Sequence, residues 1–146
     1  MIAGASEDQL DIITEFGLHL GRCFQIIDDV LDLTSDFSGL KQKGNDIYEG
    51  KRTLMLGHLI RSTHDRERQE IISTLSKPRS EKTPEEVQWI IERMEHYGSI
   101  GYARNIAQQH KDKAVQIFDT QLDFLAIEPA RSTLRELINF VLERKR

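Results

Sequence analysis

From Ile13 to Leu31 the chain places Ile13, Phe16, Leu20, Phe24, Ile27 and Leu31 three or four residues apart. That is the period of a helix face and not of a strand. Inside the same run stands Phe24-Gln25-Ile26-Ile27-Asp28-Asp29-Val30-Leu31-Asp32, three carboxylates among apolar neighbours. Ser6 and Gln9 have the spacing of a capping box and open the run, so one helix is expected over Glu7 to Ser35. At about 100° per residue, with Asp28 as origin, Asp32 falls near ~40°, Gln25 near ~60°, Asp36 near ~80° and Asp29 near ~100°. These residues share one arc of roughly a quarter turn. Around them lie Cys23, Phe24, Ile26, Ile27, Val30, Leu31 and Leu33. A helix apolar nearly all round is a buried helix. Phe24, Ile27 and Leu31 are therefore expected inside, with Asp28 and Asp32 facing a polar cleft.

Carboxylates crowded in apolar company repel one another and are costly to bury unless a cation faces them. Carboxylate oxygens suit a hard cation such as Mg2+, which keeps part of its water and bridges to phosphate oxygens. The stretch that follows, Leu40-Lys41-Gln42-Lys43-Gly44-Asn45-Asp46-Ile47-Tyr48-Glu49-Gly50-Lys51-Arg52-Thr53, carries four basic residues, Lys41, Lys43, Lys51 and Arg52, and two glycines. Lysine binds phosphate as a point charge. A helix starting after Gly50 would add free N–H groups for an anion. Acids and lysines at this separation point to a metal–diphosphate site.

The remaining chain also reads as helices. A second helix is expected from Lys51 to Arg61 and a shorter one over Asp65 to Leu75, followed by a linker, Ser76 to Pro84. Thr83, Pro84 and Glu86 form a strong helix start, and Gly98 marks the stop. Ser99 is expected to cap a helix reaching Leu125, Pro129 breaks the pattern, and an amphipathic helix closes the chain. Alternating β-branched runs are missing, so the fold class is all-α, one helical-bundle domain spanning residues 1–146.

Other features exclude more than they assign. A net charge of −4 argues against non-specific nucleic-acid binding. Cys23 is the only cysteine, which rules out an internal disulfide and suits a reducing compartment, here the cytoplasm. No apolar run approaches a transmembrane segment. The five histidines form no i,i+4 pair of the kind a helix-borne zinc site uses. Cys23 and Trp89 read as core residues, and the terminal Glu-Arg-Lys-Arg as a solvated end.

The F-Q-x-x-D-D-x-x-D run of Phe24 to Asp32, with G-x-D-x-x-x-G-K-x-T from Gly44 to Thr53, resembles the second aspartate-rich motif and downstream lysine loop of trans-isoprenyl diphosphate synthases, the polyprenyl synthetases. The resemblance implies the isoprenoid synthase fold and a prenyltransferase that condenses an allylic diphosphate with isopentenyl diphosphate. The diphosphate leaves, the isopentenyl double bond attacks the allylic cation, and a proton is lost. Carried over, Asp28 and Asp32 would help to hold Mg2+, and Asp29 would be a ligand or a supporting acid. Lys41 and Lys51 would hold the allylic diphosphate, Gln25 would orient groups near the reacting carbons, and Phe24 would line the cavity. The family's first aspartate-rich motif and its isopentenyl-diphosphate residues have no counterpart in this sequence. The chain thus looks like the C-terminal half of a synthase, expected to be inactive alone and to dimerise or to associate with an N-terminal half. A non-catalytic subunit or a truncated remnant of a heteromeric synthase, inactive alone, is the rival reading. A terpene cyclase fits the F-Q-x-x-D-D pattern and lysine loop less well.

Overall fold

The computed structural model describes residues 4–34 and 43–143. Among them the chain forms seven α-helices, one 3-10 turn and no strand. The helices are α1 (Glu7–Thr34), α2 (Asn45–Tyr48), α3 (Leu54–Ser62), α4 (Asp65–Ser76), α5 (Pro84–His96), α6 (Ser99–Gln121) and α7 (Ala130–Glu143), with the 3-10 turn at Arg79–Glu81. The all-α class therefore holds. Among the described residues no helix is long and apolar enough to cross a membrane. Ser35, Asp36, Gly39 and Lys41 lie outside the described residues, as does the end of the basic C-terminus.

The chain divides into two compact units. One holds the described residues up to Ile27 and from Ile106 onward; the other holds those from Asp28 to Asn105. In the first, α1 opens with the expected capping box: the Gln9 amide donates to Ser6 Oγ, and the Ser6 amide donates to Gln9 Oε1. Its core joins Phe16 to Ala114, Ile117, Phe118, Leu122 and Ile138. The Phe16 and Phe118 rings tilt together with centroids 6.1 Å apart. α6 stops at Gln121, short of the expected Leu125. There the Arg131 guanidinium closes the helix end, donating to Leu122 O at 2.6 Å, which also accepts from the Leu125 amide, and to Leu125 O at 3.2 Å while lying over the Phe118 ring. Cys23 is fully buried, and burial pushes its thiol up to about 11, so it behaves as a small core residue.

His19 and His110 meet in this unit with their Nδ1 atoms 2.8 Å apart, one ring donating and the other accepting. Burial, then the neighbouring His19 and Arg22, hold the His110 pKa below its ordinary value of 6.5. A depressed histidine favours the neutral form in the fold. Its contribution to stability is complete above the ordinary value and is lost as pH falls through the lower folded value. Thermal unfolding of the chain is thus expected to shift to lower temperature between pH 7.5 and pH 5, and His110→Asn to flatten that dependence. Identical pH profiles for the two proteins would contradict this account.

In the second unit α3 lies against α4 and α5. Met55, Leu59, Ile71, Ile90, Ile91 and Met94 are fully buried there. The start of α5 is as expected: Thr83 Oγ1 accepts from the Glu86 amide, the Glu86 carboxylate accepts from the Thr83 amide, and Pro84 leads the first turn. The start of α3 is corrected to Leu54, because Thr53 provides a cap that neither Lys51 nor Arg52 can: its Oγ1 accepts from the Leu56 amide. A helical turn, α2, also replaces part of the expected loop, held by the burial of Ile47 and Tyr48. Ser99 does not cap α6. The Gly98 carbonyl accepts from the Tyr102 amide instead, and Ser99 Oγ, fully buried, lies 3.0 Å from His58 Nδ1. Trp89 is half-buried, not core.

Candidate functional site

The last turns of α1 carry Asp28, Asp29 and Asp32, all in the second unit. Asp29 is the buried one, 7% exposed, whereas Asp28 is exposed and Asp32 half-buried. The helical arc thus places the acids side by side as expected, and of the three it is Asp29 that is buried.

What faces Asp29 is Lys51. Its Nζ donates to Asp29 Oδ1 at 2.7 Å and to Asp46 Oδ2 at 2.9 Å. Two carboxylates thereby share one ammonium. The loop is built to deliver it. Gly44 sits in the left-handed region at φ 75°, and its amide donates to the Asp32 carbonyl at 3.0 Å. The Asp46 amide donates to Asp32 Oδ2 at 3.0 Å, so Asp32 closes the start of α2 with both its carbonyl and its carboxylate. Gly50, at φ 68°, turns the chain back, and the Lys51 amide donates to the Asp46 carbonyl at 2.9 Å. Lys51 thus precedes α3 by three residues instead of opening it.

Burial raises the Asp29 pKa, helped by the nearby charges of Asp46 and Asp28, against the opposing bond from Lys51. For Lys51 burial acts downward, but its bonds to Asp29 and Asp46 outweigh that and raise its pKa. The ammonium is therefore fully charged at neutral pH while 41% of its side chain stays exposed. It can exchange a carboxylate for another anion without leaving the surface.

Of the residues singled out in the sequence, Asp29, Asp32 and Lys51 are brought together, and Asp28 lies beside Asp29 on α1. Lys41 lies outside the described residues. Lys43 and Arg52 are exposed. Phe24 and Gln25 belong to the first unit and are exposed, Phe24 by 45%, against the expectation of a buried ring. The buried side of α1 at this level runs through Cys23 and Ile27, and Phe24 lies about 100° from Cys23, on the flank. Leu31 is half-buried. Asp46 was missed by sequence reasoning. The signal was the acid five residues before Lys51 across a glycine turn, within reach of the same ammonium.

Among the described residues no three histidine, cysteine or acidic side chains close into a metal-binding group. The donors still fit Mg2+, since Asp28 and Asp32 offer hard oxygens. That ion is commonly held by one or two carboxylates with substrate phosphates, not by a complete protein cage.

The family model "Polyprenyl synthetase" matches residues 1–94. A short chain isoprenyl diphosphate synthase of Methanothermobacter thermautotrophicus is 35% identical over 146 residues, covering 99% of this chain and 42% of that protein. The octaprenyl diphosphate synthase of Escherichia coli is 31% identical, with 100% and 43% covered. Among solved structures, the geranylgeranyl pyrophosphate synthetase of Pyrococcus horikoshii superposes with a TM-score of 0.79 at 30% identity, covering 97% of this chain and 42% of that one. The chain spans about two fifths of the length of the curated relatives it matches. On this evidence the chain belongs to the polyprenyl synthetase family.

Proposed function

We propose that this all-α chain works as the C-terminal half of a trans-isoprenyl diphosphate synthase in the cytoplasm, and that it supplies one wall of the site where an allylic diphosphate is held for condensation with isopentenyl diphosphate. The observation that carries the reading is Lys51, a charged ammonium bonded to Asp29 and Asp46 at the end of an acidic helix. Lys51 and Lys41 bind diphosphate oxygens. Asp28 and Asp32 hold Mg2+, with Asp29 as a further ligand or a supporting acid. When bound, Mg2+ supplies positive charge to the departing diphosphate. Asp29 and Asp46 keep Lys51 charged and aimed until substrate arrives. Gln25 orients groups near the reacting carbons, and Phe24 lines the hydrocarbon side once a second chain covers it.

The reading includes association with a second chain, either another copy or an N-terminal half, because the chain spans about two fifths of the length of its curated relatives. Catalysis of this kind depends on several charges placed together, so a single wall should give far less than a proportional share. Assayed with both diphosphates, the 146-residue chain alone is expected to form no product, and addition of an N-terminal half from a relative to restore turnover. Robust product from the chain alone would overturn the two-part reading. No product from the combined halves would favour a non-catalytic subunit.

A further inference from the structure

Resting on that reading of Lys51, we propose that the linker between α4 and α5 positions the diphosphate lysine: Lys82 and Arg79 grip α2 from outside and thereby fix where Lys51 stands. Lys82 is 6% exposed, and among the described residues it has no carboxylate partner. Its Nζ donates to the Tyr48 carbonyl at 2.9 Å. Burial and the neighbouring Arg79 hold its pKa below the ordinary lysine value. A buried ammonium is costly, and an apolar side chain of similar size would be cheaper in the same place. The return here is one carbonyl. Within the loop, the carbonyls of Gly44, Asn45, Asp46 and Ile47 accept from amides of Ile47, Glu49, Lys51 and Gly50. The Tyr48 carbonyl, at the end of the short helix, is instead taken by Lys82, which reaches in from 34 residues away.

Arg79 completes the grip at the other side of the turn. Its Nη1 donates to Asn45 Oδ1 at 2.9 Å and to Glu49 Oε1 at 3.2 Å, and its guanidinium lies 5.6 Å from the centre of the Tyr48 ring. Gly50 passes close by, since a Cβ there would stand 3.7 Å from Lys82 Nζ. Lys51 follows directly. Both ends of α2 are therefore tied to one linker, and the ammonium that meets Asp29 emerges from the tied segment. This linker reads in the sequence as a plain turn; Arg79 and Lys82 touch the supporting loop and not Asp28, Asp29 or Asp32.

The test measures binding of inorganic pyrophosphate with Mg2+ to the full chain, and the Lys51 Nζ nuclear magnetic resonance signal at fixed pH, assigned by its loss in Lys51→Met. Lys82→Met is expected to keep the helical circular dichroism of the parent and weaken pyrophosphate binding about tenfold, the lower end for a supporting partner. It should move the Lys51 signal, and it should add nothing in a Lys51→Met background. An unmoved Lys51 signal with parental affinity overturns the proposal, as does the same tenfold loss with and without Lys51. If the parent chain fails to bind pyrophosphate, the diphosphate reading falls, while the Lys51 signal still decides the positioning. Should Lys82→Met not fold, Arg79→Gln at the exposed end of the grip takes its place, and an unmoved Lys51 signal in that variant is equally decisive.

Discussion

In the two-part synthase, Lys51→Ala is expected to lower turnover by on the order of a hundredfold or more, and Asp28→Ala by a similar factor, the scale for removing one preorganised electrostatic stabiliser. A hundredfold is about 2.7 kcal/mol of transition-state stabilisation. For Lys51 the argument rests on preorganisation. Its ammonium is already charged and held by Asp29 and Asp46, so little rearrangement is needed when a diphosphate replaces them. For Asp28 it rests on exposure, because a side chain outside the core can be shortened without opening a cavity. The measurement is product formation from allylic and isopentenyl diphosphates, with circular dichroism to show that each variant is folded. Parental turnover from Asp28→Ala would remove that residue from the metal site, and parental turnover from Lys51→Ala would remove the lysine from diphosphate binding.

How much of this could be read from residues alone depends on the range of the interactions. α1 was legible because its signals are local: a capping box at Ser6 and Gln9, and an apolar row at helical spacing. The start of α5 was legible for the same reason, with Thr83, Pro84 and Glu86 in one turn. The pairing of acidic helix with lysine loop also survived, because motif spacing constrains it. Orientation did not. A helical wheel fixes relative angles but not which angle points inward, so it left open that Asp29 is the buried acid, and it placed Phe24 inside where the ring is exposed. α2 was missed because its composition is that of a loop; the burial of Ile47 and Tyr48, a tertiary effect, makes it helical. Asp46 and Lys82 escaped for a related reason. Their partners lie five and 34 residues away across turns whose geometry no propensity encodes.

Gly44→Ala is expected to destabilise the chain by about 2–5 kcal/mol, the sum of a left-handed backbone penalty and an overpacking penalty. Gly44 has φ 75°, a conformation that alanine adopts only with strain. The space is also taken: a Cβ on this residue would lie 2.8 Å from Val87 Cγ1 and 3.2 Å from Ile91 Cδ1. Both side chains are buried on α5, so neither can swing into solvent to make room. Moving the loop instead would stretch the bond from the Gly44 amide to the Asp32 carbonyl, and with it the contact of Asp32 with the Asp46 amide. The same substitution should therefore loosen the turn that presents Lys51. Urea unfolding measures the first effect. Val87→Ala separates the two causes, because it removes the nearer methyl and leaves φ unchanged. The double variant should then be less destabilised than the sum of the single changes by at least about 0.5 kcal/mol, the coupling expected of residues in contact. Strict additivity would show that the contact with Val87 contributes nothing to the loss, and a Gly44→Ala protein as stable as its parent would mean that the loop does not lie against α5 in solution.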